Sequence, residues 1–272
     1  MKTTRKLLVV LVAALMLLAS TGCSKLKARD HLNKGVQAYK NAKYEQAIEH
    51  FQQAVSLDPT LINARLYLAT AFAQQYIPGA DTPDNNRMGE QAIDQYKQVL
   101  QTDPKNVNSI KGIAYLYLQM KKFELAKEFY KKASEADPND PEPYYSVAVI
   151  DWTQTYQPRQ EERAKLGMKS DDSLAAKDKK VCATVKEKNT ANVQEGIDNL
   201  NKALQLRPDY DDAMAYLNLM YRERADIQCD DPAARAADLK SAEEWVDKTM
   251  ATKKAKAEKQ PGTGGIVMDQ NK

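Results

Sequence analysis

Thiols, imidazoles and paired carboxylates are the side chains here that could carry chemistry, and they are few. The 272-residue chain holds three cysteines, Cys23, Cys182 and Cys229, and two histidines, His31 and His50. No cysteine and histidine share a zinc-ligand spacing, and no glycine-rich run is built to cradle a phosphate. A catalytic nucleophile needs a base within reach, and the base needs a group that orients it. Neither pairing can be read from these residues. Asp171-Asp172 and Asp230-Asp231 suit helix caps, whose carboxylates accept from unpaired backbone N–H groups, better than metal ligands. The reading is of a protein that is not an enzyme, with no metal and no cofactor.

The start of the chain has its own pattern. Lys2, Arg5 and Lys6 precede thirteen residues, 7–19, with no polar side chain, and Ser20, Thr21 and Gly22 follow. A basic start, a short apolar run and a small-residue exit make a secretory signal peptide. Thirteen helical residues span about 20 Å at roughly 1.5 Å each, short of a ~30 Å hydrocarbon core. Residues 1–22 are therefore expected to be removed rather than kept as an anchor. Without them 37 basic side chains face 37 acidic ones. That balance gives no electrostatic footprint for nucleic acid. Alanine, leucine, lysine, glutamine and glutamate dominate while glycine is scarce, which favours helix over sheet.

Cys23 stands where the cut should fall, and Gly22-Cys23 behind the apolar run resembles the lipobox of bacterial lipoproteins. Ser20 departs from that family, which prefers leucine there; Leu18 lies two residues further back. The resemblance implies acylation of the Cys23 thiol, palmitate included, and cleavage just before it. Two or three acyl chains, at roughly 0.8 kcal/mol per buried methylene, would make membrane attachment effectively permanent. By the same resemblance Ser24, in place of an aspartate that retains such proteins in the inner membrane, implies the outer membrane, facing the periplasm. The other reading is an ordinary cut near Gly22 that leaves Cys23 a free thiol.

A phrase recurs along the rest of the chain. Ala47-x3-Phe51-x2-Ala54-x4-Pro59, Ala92-x3-Tyr96-x2-Val99-x4-Pro104, Ala126-x3-Tyr130-x2-Ala133-x4-Pro138 and Gly196-x3-Leu200-x2-Ala203-x4-Pro208 are its four full copies. Ala242-x3-Val246-x2-Thr249 is a fifth without the proline. Spacings of four and three set these residues on one helical stripe. The small residue admits a neighbouring helix, the larger one fills the gap beside it, and the proline ends the helix because the residue before it is driven out of the α region. A second phrase precedes each copy, cleanest at Ile110-x2-Ile113-Ala114-x2-Tyr117 and repeated at Arg65, Tyr144 and Met214.

Two helices per unit with these spacings resemble the tetratricopeptide repeat (TPR), whose period is 34 residues. The resemblance implies an all-α superhelical solenoid of about five helix-turn-helix units over residues 27–250, at about 28–61, 62–106, 107–140, 141–210 and 211–253. Residues 23–26 form a lipidated tether, and residues 251–272 a disordered Lys/Gly-rich tail that follows a frayed helix end. Extra residues fall between the first helix (A) and second helix (B) of units two, four and five, on one edge of the solenoid. In unit two, residues 78–86 read as loop. The longest insertion has helical composition at 158–166 and 171–188. It serves either to lengthen helix A and cap an edge or to contact a partner.

Within that frame His31 takes a packing place on the first A helix, and His50 should face outward beside Phe51. Cys182 and Cys229 fall in the insertions of adjacent units. In an exported chain with Cys23 lipidated they are an even pair, expected either as a disulfide or as two separate thiols, one in a small apolar niche. Stacked TPR units line a concave groove with their A helices, and Tyr39, Tyr67, Tyr115, Tyr145, Trp152 and Tyr216 are the groove candidates. Tyrosine and tryptophan dominate binding hot spots. The family's carboxylate clamp uses a lysine and an asparagine where this chain has Leu32 and Val36, so that clamp is not carried over. The function read from this is a membrane-tethered scaffold that holds other cell-envelope proteins in an aromatic groove. The alternative is a periplasmic glycan or small-ligand binder that uses Glu142, Asn63 and Asn108 beside the rings.

Overall fold

A computed structural model describes residues 23–169 and 172–259, so the expected signal peptide, Asp171 and the end of the tail lie outside the described residues. The described residues form helices with no strand: α1 over 23–40, then α2 (Tyr44–Leu57), α3 (Ile62–Gln75), α4 (Pro83–Thr102), α5 (Val107–Gln119), α6 (Phe123–Ala136), α7 (Pro141–Lys165), α8 (Leu174–Lys177), α9 (Lys179–Leu206), α10 (Asp211–Asp226) and α11 (Pro232–Lys259). They divide into two compact units at Ala136, α1–α6 in the first and α7–α11 in the second.

The repeated phrase is the core. Ala47, Phe51 and Ala54 on α2, Ala126 and Ala133 on α6, and Leu200 and Ala203 on α9 are buried, as is Tyr96 on α4. In the last copy Val246 is exposed, since no further helix covers α11 among the described residues. Close approach also occurs where A-helix glycines face the large residue of the phrase. A Cβ on Gly35 of α1 would lie 2.5 Å from the Phe51 ring, and one on Gly112 of α5 would lie 2.6 Å from the Tyr96 ring. The residue before three of these prolines leaves the α region: Asp58 at φ −142°, Asp103 at φ −132° and Arg207 at φ −135°.

The turns inside units explain how extra residues are absorbed. α1–α2 and α5–α6 turn tightly through a left-handed residue, Ala42 (φ 56°) and Lys121 (φ 57°). Lys43 N donates to Ala38 O at 3.0 Å and Lys122 N to Tyr117 O at 2.8 Å, the bond that closes a helix end of this kind. Between α3 and α4 the expected loop over 78–86 is shorter than its composition suggests. Pro83 opens α4, capped by Thr82, whose hydroxyl accepts from Asn85 N. Proline fits that first position because its missing N–H would have no helical partner there. Asn85, also expected in the loop, is buried and ties it down with bonds to Ile77 N, Ile77 O and Ala80 O.

In the second unit the additional residues become helix. α7 runs for 25 residues and continues through Pro158, and α9 runs for 28. α11 also has 28 residues and reaches Lys259, so residues 251–259, expected within the disordered tail, are helical. Their run of alanine, lysine and glutamate contains no breaker before Pro261. The expected tether 23–26 is likewise the first turn of α1. No described helix is long and apolar enough to cross a membrane.

Candidate functional site

In the first unit the A helices α1, α3 and α5 carry Tyr39, Tyr67 and Tyr115. Tyr67 is 40% exposed and stacks on Phe51 at 5.5 Å, while Tyr115 is 51% exposed. Tyr39 instead packs edge-on against Tyr44 at 5.3 Å, and burial raises the pKa of its hydroxyl. Beside Tyr67 lies a hollow of about 470 Å³, lined by Asn63, Leu66 and Thr70 of α3, Tyr96 of α4 and Asn108 of α5. The two hydroxyls at its wall, Thr70 and Tyr96, stand 3.2 Å apart. Asn63 and Asn108 thus line one hollow beside Tyr67, as the glycan reading required. Glu142 does not join them; it is exposed in the first turn of α7, in the other unit.

In the second unit the three expected groove residues cluster with one another. Tyr145 meets Tyr216 edge-on at 5.5 Å, Tyr216 meets Trp152 at 5.5 Å, and Tyr145 leans on Tyr210 at 5.0 Å. Trp152 stacks on Tyr156 at 4.7 Å. All are half-buried. Burial pushes the Tyr210 hydroxyl up to about 12, and raises those of Tyr145 and Tyr216. These rings form a wall, where the first unit presents separate side chains.

Next to that wall is a constellation that the sequence reading missed. The extension of α7 places Arg159 and Arg163 against Glu223 and Asp226 of α10. Arg159 Nη2 donates to Glu223 Oε1 at 2.8 Å and its Nη1 to Asp226 Oδ2 at 2.5 Å; Arg163 Nη1 donates to the same Oδ2 at 3.0 Å. Arg163 also donates to the Asp172 and Lys169 carbonyls. Glu223 is 1% exposed, and desolvation outweighs the attraction of Arg159, pushing its carboxyl up to about 7. The sequence signal was present as two arginines four apart and two acids three apart, spacings that put each pair on one helical face.

The cysteines and histidines are placed as follows. Cys182 and Cys229 are disulfide-bonded, with Sγ atoms 2.03 Å and Cα atoms 5.8 Å apart. They sit in a core with Val185, Ile197, Leu217 and Met220. Cys23 is exposed with a free thiol. His50 does not face outward alone, and His31 is not core: both are half-buried, with Nδ1 atoms 3.3 Å apart. Residue 50 lies three positions after the buried Ala47 of α2, which turns it back toward α1. Asp231 caps α11 by accepting from Ala234 N at 2.8 Å. Asp172 caps no helix: it accepts from Lys169 N, and Ser173 caps α8. Asp230 faces Lys179 across an exposed ion pair of 3.6 Å. Among the described residues no group of three or more His, Cys, Asp or Glu is placed to hold a metal ion.

Comparison with known proteins agrees with this architecture. Two family models described as tetratricopeptide repeat match residues 28–61 and 87–150. The chain carries TPR units, and its fold is that of TPR solenoids. A MamA crystal structure aligns at a TM-score of 0.58 with 10% identity, covering 88% of this chain and 98% of that one. MamA 41-end from Desulfovibrio magneticus RS-1 aligns at 0.56 with 16% identity over 84% and 96%. YrrB, titled a TPR protein with an unusual peptide-binding site, aligns at 0.50 with 14% identity over 84% and 90%. No curated protein matches the sequence.

Proposed function

We propose that this chain is a non-catalytic scaffold that holds partner proteins of the cell envelope along its A-helix faces while Cys23 anchors it to the membrane. One observation carries the scaffold reading: Tyr67 and Tyr115 are large exposed rings on neighbouring A helices, and Tyr67 lines a hollow with two amide side chains. Rings supply contact area at low entropic cost, and amides bond the polar backbone of an extended or helical peptide. YrrB, of similar fold, is titled for a peptide-binding site. The anchor reading draws on the Gly22-Cys23 junction and on an exposed thiol at the first residue of α1. In that geometry Lys25, Lys27 and Arg29 lie near lipid headgroups of the outer membrane.

A glycan in the same hollow is the second reading, favoured by Asn63 and Asn108 beside Tyr67. It is the weaker one, because no carboxylate lines the hollow to accept from sugar hydroxyls.

A photo-crosslinking residue at Tyr115 tests the scaffold. One discrete protein adduct should form in the envelope, disappear with Tyr67→Ala and Asn63→Ala, and be absent with the crosslinker at Gln53, an exposed residue of α2. An adduct indifferent to those substitutions, or a glycan in place of a protein, overturns it. Cys23→Ala should abolish acylation and release the protein from membranes. A mature-sized variant that still partitions there without acyl mass overturns the anchor.

A further inference from the structure

Beyond the ring wall of the second unit lies a cleft of about 560 Å³ between α7, α10 and α11. That volume is in the range of small-ligand sites, ~300–1,000 Å³. Its lining divides by chemistry. Trp152 and Tyr156 make a stacked aromatic plate, with Met168, Leu219 and Leu239 as the remaining apolar surface. Four guanidiniums, Arg159, Arg163, Arg222 and Arg235, face three carboxylates, Glu223, Asp226 and Glu243.

The charges are not equally available. Arg159 and Arg163 are consumed by Glu223 and Asp226, so they act as a clamp that holds α7 to α10. Arg222 and Arg235 are not consumed. Arg222 is exposed, and its Nε donates to Asn218 on its own helix. Arg235 forms no ion pair among the described residues, and its buried Nε has no hydrogen-bond partner. Arg159 Nε and Glu223 Oε2 are also buried without partners. A buried polar atom left unpaired is costly, so a lining that retains several is one a polar ligand can complete. Two uncommitted guanidiniums against the single uncommitted carboxylate, Glu243, favour an anion. Guanidinium binds carboxylate by paired, charge-assisted hydrogen bonds. The aromatic plate beside them suits an apolar or aromatic neighbour.

We propose that this cleft binds an acidic peptide segment, with a carboxylate held by Arg222 and Arg235 and an adjoining apolar side chain lying on Trp152 and Tyr156. This rests on the scaffold reading and makes it specific: the first unit contacts a partner through exposed tyrosines, and the second selects the partner by a carboxylate. The carboxylate comes either from an acidic side chain or from a chain terminus, and the test separates the two. The insertion in α7 thereby acquires a job, because without residues 158–165 the cleft has no Arg159 or Arg163 to fix its walls.

Trp152 is one of two tryptophans, so full-length protein carrying Trp245→Phe reports on the cleft alone. Three acetylated peptides are the probes: Ac-Phe-Glu-Gly-NH2, Ac-Phe-Gln-Gly-NH2 and Ac-Gly-Phe with a free carboxyl terminus. The glutamate peptide should shift Trp152 emission saturably, and the glutamine peptide should bind at least about tenfold more weakly. Binding of the third peptide alone assigns the carboxylate to a chain terminus. Arg222→Gln and Arg235→Gln should each weaken the acidic peptide by about tenfold while melting with the parent protein. Calorimetry on the wild-type chain checks that Trp245→Phe has not altered the site. Measurable and equal binding of the glutamate and glutamine peptides, unchanged affinity of the bound acidic probe in both arginine variants, or no binding of any probe overturns the proposal. If the Tyr115 adduct still forms in that case, only the cleft assignment falls. Loss of that adduct with the titration intact removes the groove of the first unit instead.

Discussion

The two halves of this molecule use one repeat in opposite ways. In the first unit the helices are 13–20 residues long, two of its turns are tight, and tyrosines remain exposed on A helices. In the second, α7, α9 and α11 reach 25–28 residues, charged groups are buried, rings pack on rings, and a disulfide crosses the core. Added residues entered the second unit mainly as extra helical turns. The added turns of α7 lie against α10, and that seam is filled with ionic pairs. Lengthening a repeat therefore changes its chemistry as well as its size.

Breaking the ionic seam should show the largest difference between the halves. Asp226 serves two buried arginines, and its removal leaves positive charge without compensation. Asp226→Ala should cost about 3–5 kcal/mol. Hydrogen exchange should rise across α7 and α10, with α2–α5 unchanged. Equal loosening of both units would mean that they do not behave as separate bodies.

The disulfide comes next. It closes a loop of 46 intervening residues. By the chain-entropy relation such a bond contributes roughly 4 kcal/mol as an upper figure. Reduction, or Cys182→Ala with Cys229→Ala, should lower the melting of the second unit only. Peptide mapping without reductant should recover the two cysteines joined, and free thiols at both would remove the clasp from the comparison.

Titration offers a reversible version of the first test. Glu223 titrates at about 7 in the folded protein against 4.5 as the ordinary value. The folded state therefore holds this proton more tightly, and the stabilisation is complete below about 4.5. It is lost as pH rises through about 7, amounting to about 2–3 kcal/mol between pH 5 and 8. Arg159, Arg163 and Asp226 surround the carboxyl, with Arg222, Arg235 and Glu243 around the same cleft. Glu223→Gln should flatten that slope in the second unit, and a slope that persists would assign it to another group.

In the first unit, sensitivity should come from packing. Ala126 is fully buried, and Ala126→Leu should cost about 1–3 kcal/mol by overpacking. Its neighbour Lys127, one position further along α6, is no neutral surface control: it is 6% exposed, three residues before buried Tyr130 on the same face. Gln53, exposed on α2, is the better control. The smallest effect is expected at Lys121. Its left-handed backbone suits glycine, so Lys121→Gly should gain up to about 1 kcal/mol, seen as a slight rise in urea midpoint.

Local rules made most helices legible in the sequence. The small-large-small stripe and the residue before each proline are decided within a few positions, so Phe51, Tyr96, Leu200, Asp58 and Arg207 could be placed without coordinates. The candidate site was legible only in part. Tyr67 and Tyr115 followed from repeat register. The mutual packing of Tyr145, Trp152 and Tyr216 and the meeting of His31 with His50 are contacts between helices that no local pattern reports, and the burial of Arg159 and Glu223 depends on how far α7 extends past the repeat. Composition of an insertion does not report that length.

The bond between Cys182 and Cys229 also has a consequence for the order in which the chain matures. Helix pairs of the first unit pack on the pairs made just before and after them, so they can form vectorially as the polypeptide emerges. Cys182 must wait until the rest of α9 and all of α10 have followed it before its partner exists. Domains made first generally fold first, at a synthesis rate of about 5–20 residues per second. Thiol oxidation takes seconds or longer. The second half is therefore the last part of the molecule to close and the longest to rely on its oxidant, with its buried charges exposed to water until then.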